Sequence, residues 1–333
     1  MALTVKAAFD QFRKEVVDLD ADEVDKARSS RDFLLDQIFG LPDKIADFPW
    51  LTNRRLFFGS FARRTKIQPL DDIDLMIVMH GGGGYERQFP WERFQCRVDP
   101  GTMETPVRHL TDDQGYINSN RVLFKLRDAL SDLPHYEKAE LHKRGEAVTL
   151  KLGSYPWNFD IVPTFGVTDG QDPLVYFLIP DGKGHWKRTD PRRDDEYVTR
   201  VNQRHNGLAL PIIRLLKYWN CRSQSPAMMS YWLETVVLNI FEEIEPVQFI
   251  QVGLYNFFAR AISRVSQSCA DPKGLGPDLD EDVDEDTRRK IVAALKRAAQ
   301  IALSALQYEI QENHKLAISE WGKVFRQAFP TYG

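Results

Sequence analysis

A chain of 333 residues that is 43% hydrophobic and 28% charged has the makeup of an ordinary globular protein, with room for one large domain or two coupled ones. No window approaches twenty uninterrupted apolar residues, which speaks against a membrane span, and a formal net charge of −4 speaks against a protein whose main business is gripping duplex nucleic acid. The three cysteines, Cys96, Cys221 and Cys269, stand far apart without CxxC or Cys/His spacing, so they read as reduced structural thiols and not as zinc ligands.

In chain order, Val5, Phe9, Phe12 and Val16 fall at helical spacing, and a second helix runs through Val24, Ala27, Leu34 and Ile38 to a stop at Gly40. This amino-terminal stretch is amphipathic and mixed in charge, lacks the apolar centre of a signal peptide, and so points to a cytoplasmic protein. "RRLFF" at 54–58 reads as a short strand, "IDLMIVM" at 73–79 as a buried strand, and "GGGG" at 81–84 as the loop that ends it. Residues 85–115 carry no clear period. A helix follows at 120–131, then strands at 146–152 and 159–165 joined by "GSYPWN", and "YFLIPDGKGHW" reads as a strand running into a glycine-rich turn. From about 193 onward the chain is mostly helical. Its one acidic break, 277–286, lacks the glycine and spacing of a calcium loop and reads as a solvated linker capping the helix after Thr287. The division expected is 1–190, amino-terminal helices plus a mixed α/β part, and 191–333, a helical domain.

The chemistry is carried by acids set into strands. Side chains in a strand alternate between faces, so Asp72 and Asp74 share one face about 7 Å apart. Two carboxylates there repel, and burying them bare would cost several kcal/mol, roughly. A divalent cation resolves the conflict, because hard oxygen ligands suit Mg²⁺. Asp160, embedded in "FDIVPTF", supplies a third acid, and two metals about 4 Å apart can serve an in-line displacement. Gly59-Ser60 lets backbone N–H groups approach phosphate closely, with Arg63, Arg64 and Lys66 nearby in sequence. Lys217 lies among Ile212, Leu215, Leu216 and Trp219. It reads either as a lysine snorkelling to solvent or as one that reaches a triphosphate. Ser230 opens a helix, as a cap or as part of an anion site, and Tyr231 beside it reads as core or as a face for a base.

These residues, in this order, resemble the polymerase-β-type nucleotidyltransferase superfamily. More narrowly, "FFGSFARRTKIQPLDDIDLMIV", "FDIVPTF", "YFLIPDGKGHWKRTDP", "IIRLLKYWN", "SYWLETVV" and "AISEWGKVFRQAFP" resemble the bacterial cyclic-oligonucleotide synthases of anti-phage defence, the CD-NTases, relatives of animal cGAS and oligoadenylate synthase. The resemblance spans about residues 50–330, with the amino-terminal helices also in place. It implies an α+β fold: a polymerase-β-like core, a mixed sheet with flanking helices, packed on a carboxy-terminal helical domain like that of oligoadenylate synthase, bilobed with a central cleft. It implies that Asp72, Asp74 and Asp160 bind two Mg²⁺, with Mn²⁺ as the alternative, that Gly59, Ser60, Lys217 and Ser230 hold the donor triphosphate, and that Tyr231 stacks on the donor base. The substrates implied are NTPs, ATP and GTP first, joined into a purine-containing cyclic dinucleotide with release of pyrophosphate. The chain has neither the zinc insertion of animal cGAS nor a strongly basic charge, so no stable nucleic-acid ligand is expected.

Two other readings stand beside this one. The first is a nucleotidyltransferase of another product class, making linear oligonucleotides, tailing RNA, or modifying a small molecule or protein. The second is a binding module with a dead site, against which the complete acid trio argues. A monomer is the default state, with an operon-encoded regulatory or conjugating partner. An exposed tail ending in Gly333 is compatible with coupling to a target.

Overall fold

The two runs that read as buried strands form the centre of a mixed sheet in the computed structural model, which describes residues 2–170, 174–223 and 226–333. The first part of the chain comprises α1 (Val5–Phe12), a π-helical turn (Arg13–Val17), α2 (Ala21–Phe39), α3 (Leu41–Lys44), β1 (Leu51–Phe57), α4 (Gly59–Ala62), β2 (Asp72–Met79), β3 (Tyr85–Arg87) and β4 (Arg97–Asp99). It continues with α5 (Ser119–Ser131), β5 (Glu140–Arg144), β6 (Ala147–Lys151), β7 (Asn158–Val167), β8 (Tyr176–Pro180) and β9 (Trp186–Thr189). The rest is helical: α6 (Pro191–Arg204), α7 (Ala209–Ser223), α8 (Ser230–Glu243), α9 (Ile250–Arg264), α10 (Glu285–Ile310) and α11 (His314–Phe325). The fold is α+β, and no helix among the described residues is long and apolar enough to cross a membrane.

The chain divides into two compact units, one comprising Ala21–Arg63 and Leu70–Arg192, the other Met1–Asp20, Arg64–Pro69 and Arg193–Gly333. In the first, the sheet runs β1-β2-β7-β6-β5, with β8 also paired to β7 and β9 to β8. Only β2 and β7 pair in parallel; the other neighbours are antiparallel. Both parallel strands are buried on both faces along Leu75–Met79 and Ile161–Phe165, as continuous apolar runs require. Met79, Phe165, Leu178 and Trp186 pack with Cys96, Val98 and Val122 in one core cluster, where the Trp186 indole N–H donates to the Ile117 carbonyl at 2.8 Å.

Several short elements escape the sequence reading, three of them strands with a plain physical reason. β3 and β4 are three-residue strands in a half-exposed hairpin, too short to show a period. β5 is an edge strand of mostly polar residues whose burial merely alternates between exposed and intermediate. The glycine-rich turn after β8 closes a hairpin onto β9, and the Asp181 carboxylate accepts from the backbone N–H groups of Lys183 and His185. The acidic stretch 277–286 is only partly solvated. Asp284 caps α10 by accepting from the Thr287 N–H at 2.7 Å, but Asp280 is buried, takes the Cys269 N–H and pairs with Arg288 at 2.8 Å. Burial pushes the Cys269 thiol up to about 11, aided by Asp280, Asp278 and Asp271, and burial likewise raises that of Cys96; Cys221 is exposed.

In the helical unit α1 belongs with the far end of the chain. Its helical spacing sends Phe9 edge-on to Trp321, Phe325 and Phe329, and Phe12 onto Tyr218, Phe325 and Phe329. Deeper in the unit His205 is fully buried. Its Nδ1 accepts from the Val247 N–H, so Nε2 carries the proton and donates to the Phe241 carbonyl at 2.6 Å. Burial lowers its pKa below 6.5.

Phe9→Ala is expected to cost the helical unit about 3–5 kcal/mol, read as a lower urea midpoint, because the surrounding rings cannot close the cavity. His205 gives a pH signature. Below about 6.5 the unfolded chain takes a proton that folded His205 refuses, so stability falls as pH is lowered from 7 towards 5. Unfolding free energies measured across that range are expected to fall less steeply in His205→Gln than in the wild type.

Candidate active site

Parallel pairing is what assembles the acids. The register sets Asp72 opposite Asn158, Ile73 opposite Phe159 and Asp74 opposite Asp160. Neighbouring strands lie about 4.8 Å apart, so equal positions on β2 and β7 present their side chains side by side. Ile73 and Phe159 are buried on one face, and Asp72, Asp74 and Asp160 are half-buried on the other. Each of the three carboxylates offers one oxygen, and these oxygens all lie within 4.8 Å of one another. Three negative groups this close repel strongly unless protons or cations are shared among them. An all-oxygen set of carboxylates fits a hard divalent cation such as Mg²⁺ or Mn²⁺.

Two neighbours fix the trio. Thr149 on β6 stands opposite Asp160 and its hydroxyl donates to Asp160 Oδ1 at 2.6 Å, leaving the second carboxylate oxygen to turn elsewhere. Gly59 follows the end of β1, where Phe57 pairs with Leu75. Its φ of +73° favours glycine, and a Cβ there would fall 1.7 Å from Asp74 Oδ2. Gly59 therefore makes room for a carboxylate, a contact that the sequence does not announce. Ser60 is half-buried in the single turn of α4, and Arg63 forms that turn's carboxy-terminal cap.

The remaining site candidates lie in the helical unit. Lys217 on α7 does not snorkel. It is 8% exposed, and its ammonium donates to Glu234 Oε1 at 2.6 Å. Glu234, 2% exposed on α8, also accepts from the Thr65 hydroxyl at 3.1 Å through Oε2. Ser230 is exposed and is the first residue of α8, with Met229 before it and no side-chain cap. Tyr231 is half-buried, and its hydroxyl donates to Asp194 Oδ1 at 2.5 Å and accepts from Lys273 Nζ at 2.6 Å.

Sequence reasoning missed Thr149, Thr65, Glu234, Asp194 and Lys273. Glu234 left a signal, as the one charged residue in the apolar run "YWLETVVLNIF". The others left none, because a threonine in a strand or a loop, a charge at the start of a helix and a lysine in a connector are all ordinary.

Gly59→Ala is expected to lower Mn²⁺ affinity by about ten- to a hundredfold by displacing Asp74. Titration calorimetry reads this, and an unchanged far-ultraviolet circular dichroism spectrum excludes unfolding.

No protein-family model matches the chain. A probable cyclic nucleotide synthase of Bacillus cereus is 40% identical over 334 residues, covering 100% of this chain and 99% of that protein. Solved structures share the fold at low identity. The CdnC of Escherichia coli with ATP superposes with a TM-score of 0.69 at 17% identity, over 98% of each chain. The same CdnC in complex with a HORMA protein superposes at 0.69 and 16%, over 98% of each chain. A variant of the Vibrio cholerae di-nucleotide cyclase DncV, in complex with ATP and GTP, superposes at 0.73 and 11%, over 99% of this chain and 98% of that one. With a relative so similar along its whole length and an acid trio at the heart of the shared fold, the chain belongs to the bacterial CD-NTases, nucleotidyltransferases of the cyclic nucleotide synthase kind.

Proposed function

We propose that the protein joins ATP and GTP into a purine-containing cyclic dinucleotide, releasing pyrophosphate, as a signal in anti-phage defence. The observation that carries this reading is the convergence of Asp72, Asp74 and Asp160 to within 4.8 Å on one face of two parallel strands. The DncV variant bound to both ATP and GTP supports the choice of nucleotides, and the CdnC–HORMA complex supports a regulatory partner.

Two Mg²⁺ ions held by Asp72, Asp74 and Asp160 would supply Lewis-acid activation of an acceptor hydroxyl and neutralise charge developing on the α-phosphate and leaving pyrophosphate. The residues do the placing. Thr149 orients Asp160 through its hydroxyl, and Gly59 gives the Asp74 carboxylate its space. Gly59 and Ser60 are assigned to the donor triphosphate, as are Lys217 and Ser230, and Tyr231 to the donor base. Glu234 holds the Lys217 ammonium at 2.6 Å and so fixes the cation in one place. A ribose hydroxyl attacks the donor α-phosphorus, its proton is lost, and pyrophosphate leaves. A second transfer of the same kind closes the ring.

Incubation with all four NTPs and Mg²⁺, then phosphatase treatment and mass spectrometry, tests the reading. The expected result is a phosphatase-resistant product of the mass of a cyclic dinucleotide, reduced by about 10³-fold or more in Asp72→Asn with Asp74→Asn. A dinucleoside monophosphate left in place of the ring, its terminal phosphates removed, would point to linear chemistry, products wholly degraded to nucleosides would mean that no nucleotides were joined, and wild-type turnover by the double variant would remove the acids from the mechanism.

A further inference from the structure

The helical unit holds a buried polar assembly around Tyr231 that the reaction as described does not use. Lys273 lies in the connection between α9 and α10, and its ammonium sits over the Tyr231 ring, 4.3 Å from the centroid. It donates to the Tyr231 hydroxyl at 2.6 Å and pairs with Asp271 at 2.8 Å and Asp194 at 3.6 Å. The side chains of Lys273, Asp194 and Asp271 are only 12%, 11% and 4% exposed.

The loop that delivers Lys273 is braced. Asp271 Oδ1 accepts from the Lys273 N–H, and Oδ2 accepts from the N–H groups of Leu275 and Gly276 at 3.3 and 3.0 Å. Gly274, at a φ of +67°, returns its N–H to the Asp271 carbonyl at 2.8 Å. Arg193 donates to the Lys273 carbonyl at 2.6 Å. A lysine in a mere connector would lie in solvent, since fixing so long a side chain costs rotamer freedom. Here two carboxylates and a braced backbone hold it against one aromatic ring.

We propose that Lys273 is a positioning residue for nucleotide binding, holding the Tyr231 ring as a rigid stacking platform for the planar base of an NTP. The inference rests on the assignment of Tyr231 to the donor base made above. The hydroxyl's single proton is committed to Asp194, so the ring meets the base by its face and does not donate to the base edge. The ammonium draws on the ring's π density, which favours stacking with an electron-rich base.

The test varies each of the four NTPs in turn, with the others in excess, in a pyrophosphate-release assay on the full chain with Mg²⁺. Lys273→Met and Tyr231→Phe are each expected to raise the KM of the same nucleotide about tenfold, with kcat held within about threefold. The double variant should be no worse than either single one, because both remove one linkage, and Lys273→Arg should restore most of the affinity. An unchanged KM in Lys273→Met, or effects that multiply in the double variant, overturns the proposal. Should Lys273→Met fail to fold, as thermal melting would show, Tyr231→Phe removes the same link without touching the loop, and an unchanged KM there overturns it equally. Tyr231→Leu separates the two levels. If it raises KM while Lys273→Met does not, the positioning role alone fails; if it leaves every KM unchanged, the assignment of Tyr231 to the base fails and the proposal with it.

Discussion

Everything about the acid site depends on one pairing, the parallel register of β2 and β7 that sets Asp74 against Asp160. A slip by a single residue would bring Phe159 or Ile161 to the place of Asp160 and send the third carboxylate to the apolar face. What prevents the slip is the rest of the two strands. From Leu75 to Met79 and from Ile161 to Phe165 both are buried on both sides, and their packing tolerates a single alignment. The repulsion among the acids is therefore sustained by core residues further along the same strands, which never approach a substrate.

That dependence explains how much was legible beforehand. The strand assignments of 73–79 and 159–165 and the oddness of acids within them stand out in the sequence, because apolar runs and misplaced charges leave local marks. That these strands are neighbours, parallel, and aligned at Asp74 and Asp160 is a matter of topology, which no local mark records. Gly59 shows the same limit. Its glycine suggested a close approach, but only the structure reveals that Asp74 is what approaches.

The helical unit manages charge differently. Lys217 and Glu234 satisfy each other within an apolar core, with Thr65 taking the second carboxylate oxygen. Such a buried pair adds little net stability over an apolar pair of the same shape, yet removing one partner leaves an uncompensated charge. Its retention fits a constraint other than stability, namely a cation fixed at a defined place. The assembly of Asp194, Tyr231, Lys273 and Asp271 is of the same type, with an aromatic ring as the fixed object.

The partition of the chain has a consequence for biosynthesis. Residues 21–63 and 70–192, which build the sheet and its three acids, leave the ribosome well before α11 is made. The apolar face of α1, by contrast, must wait for Trp321, Phe325 and Phe329, which lie far along the chain. The nascent protein thus carries an early-emerging sheet alongside a helix whose hydrophobic side stays uncovered until those aromatic residues are made, an interval of exposed apolar surface.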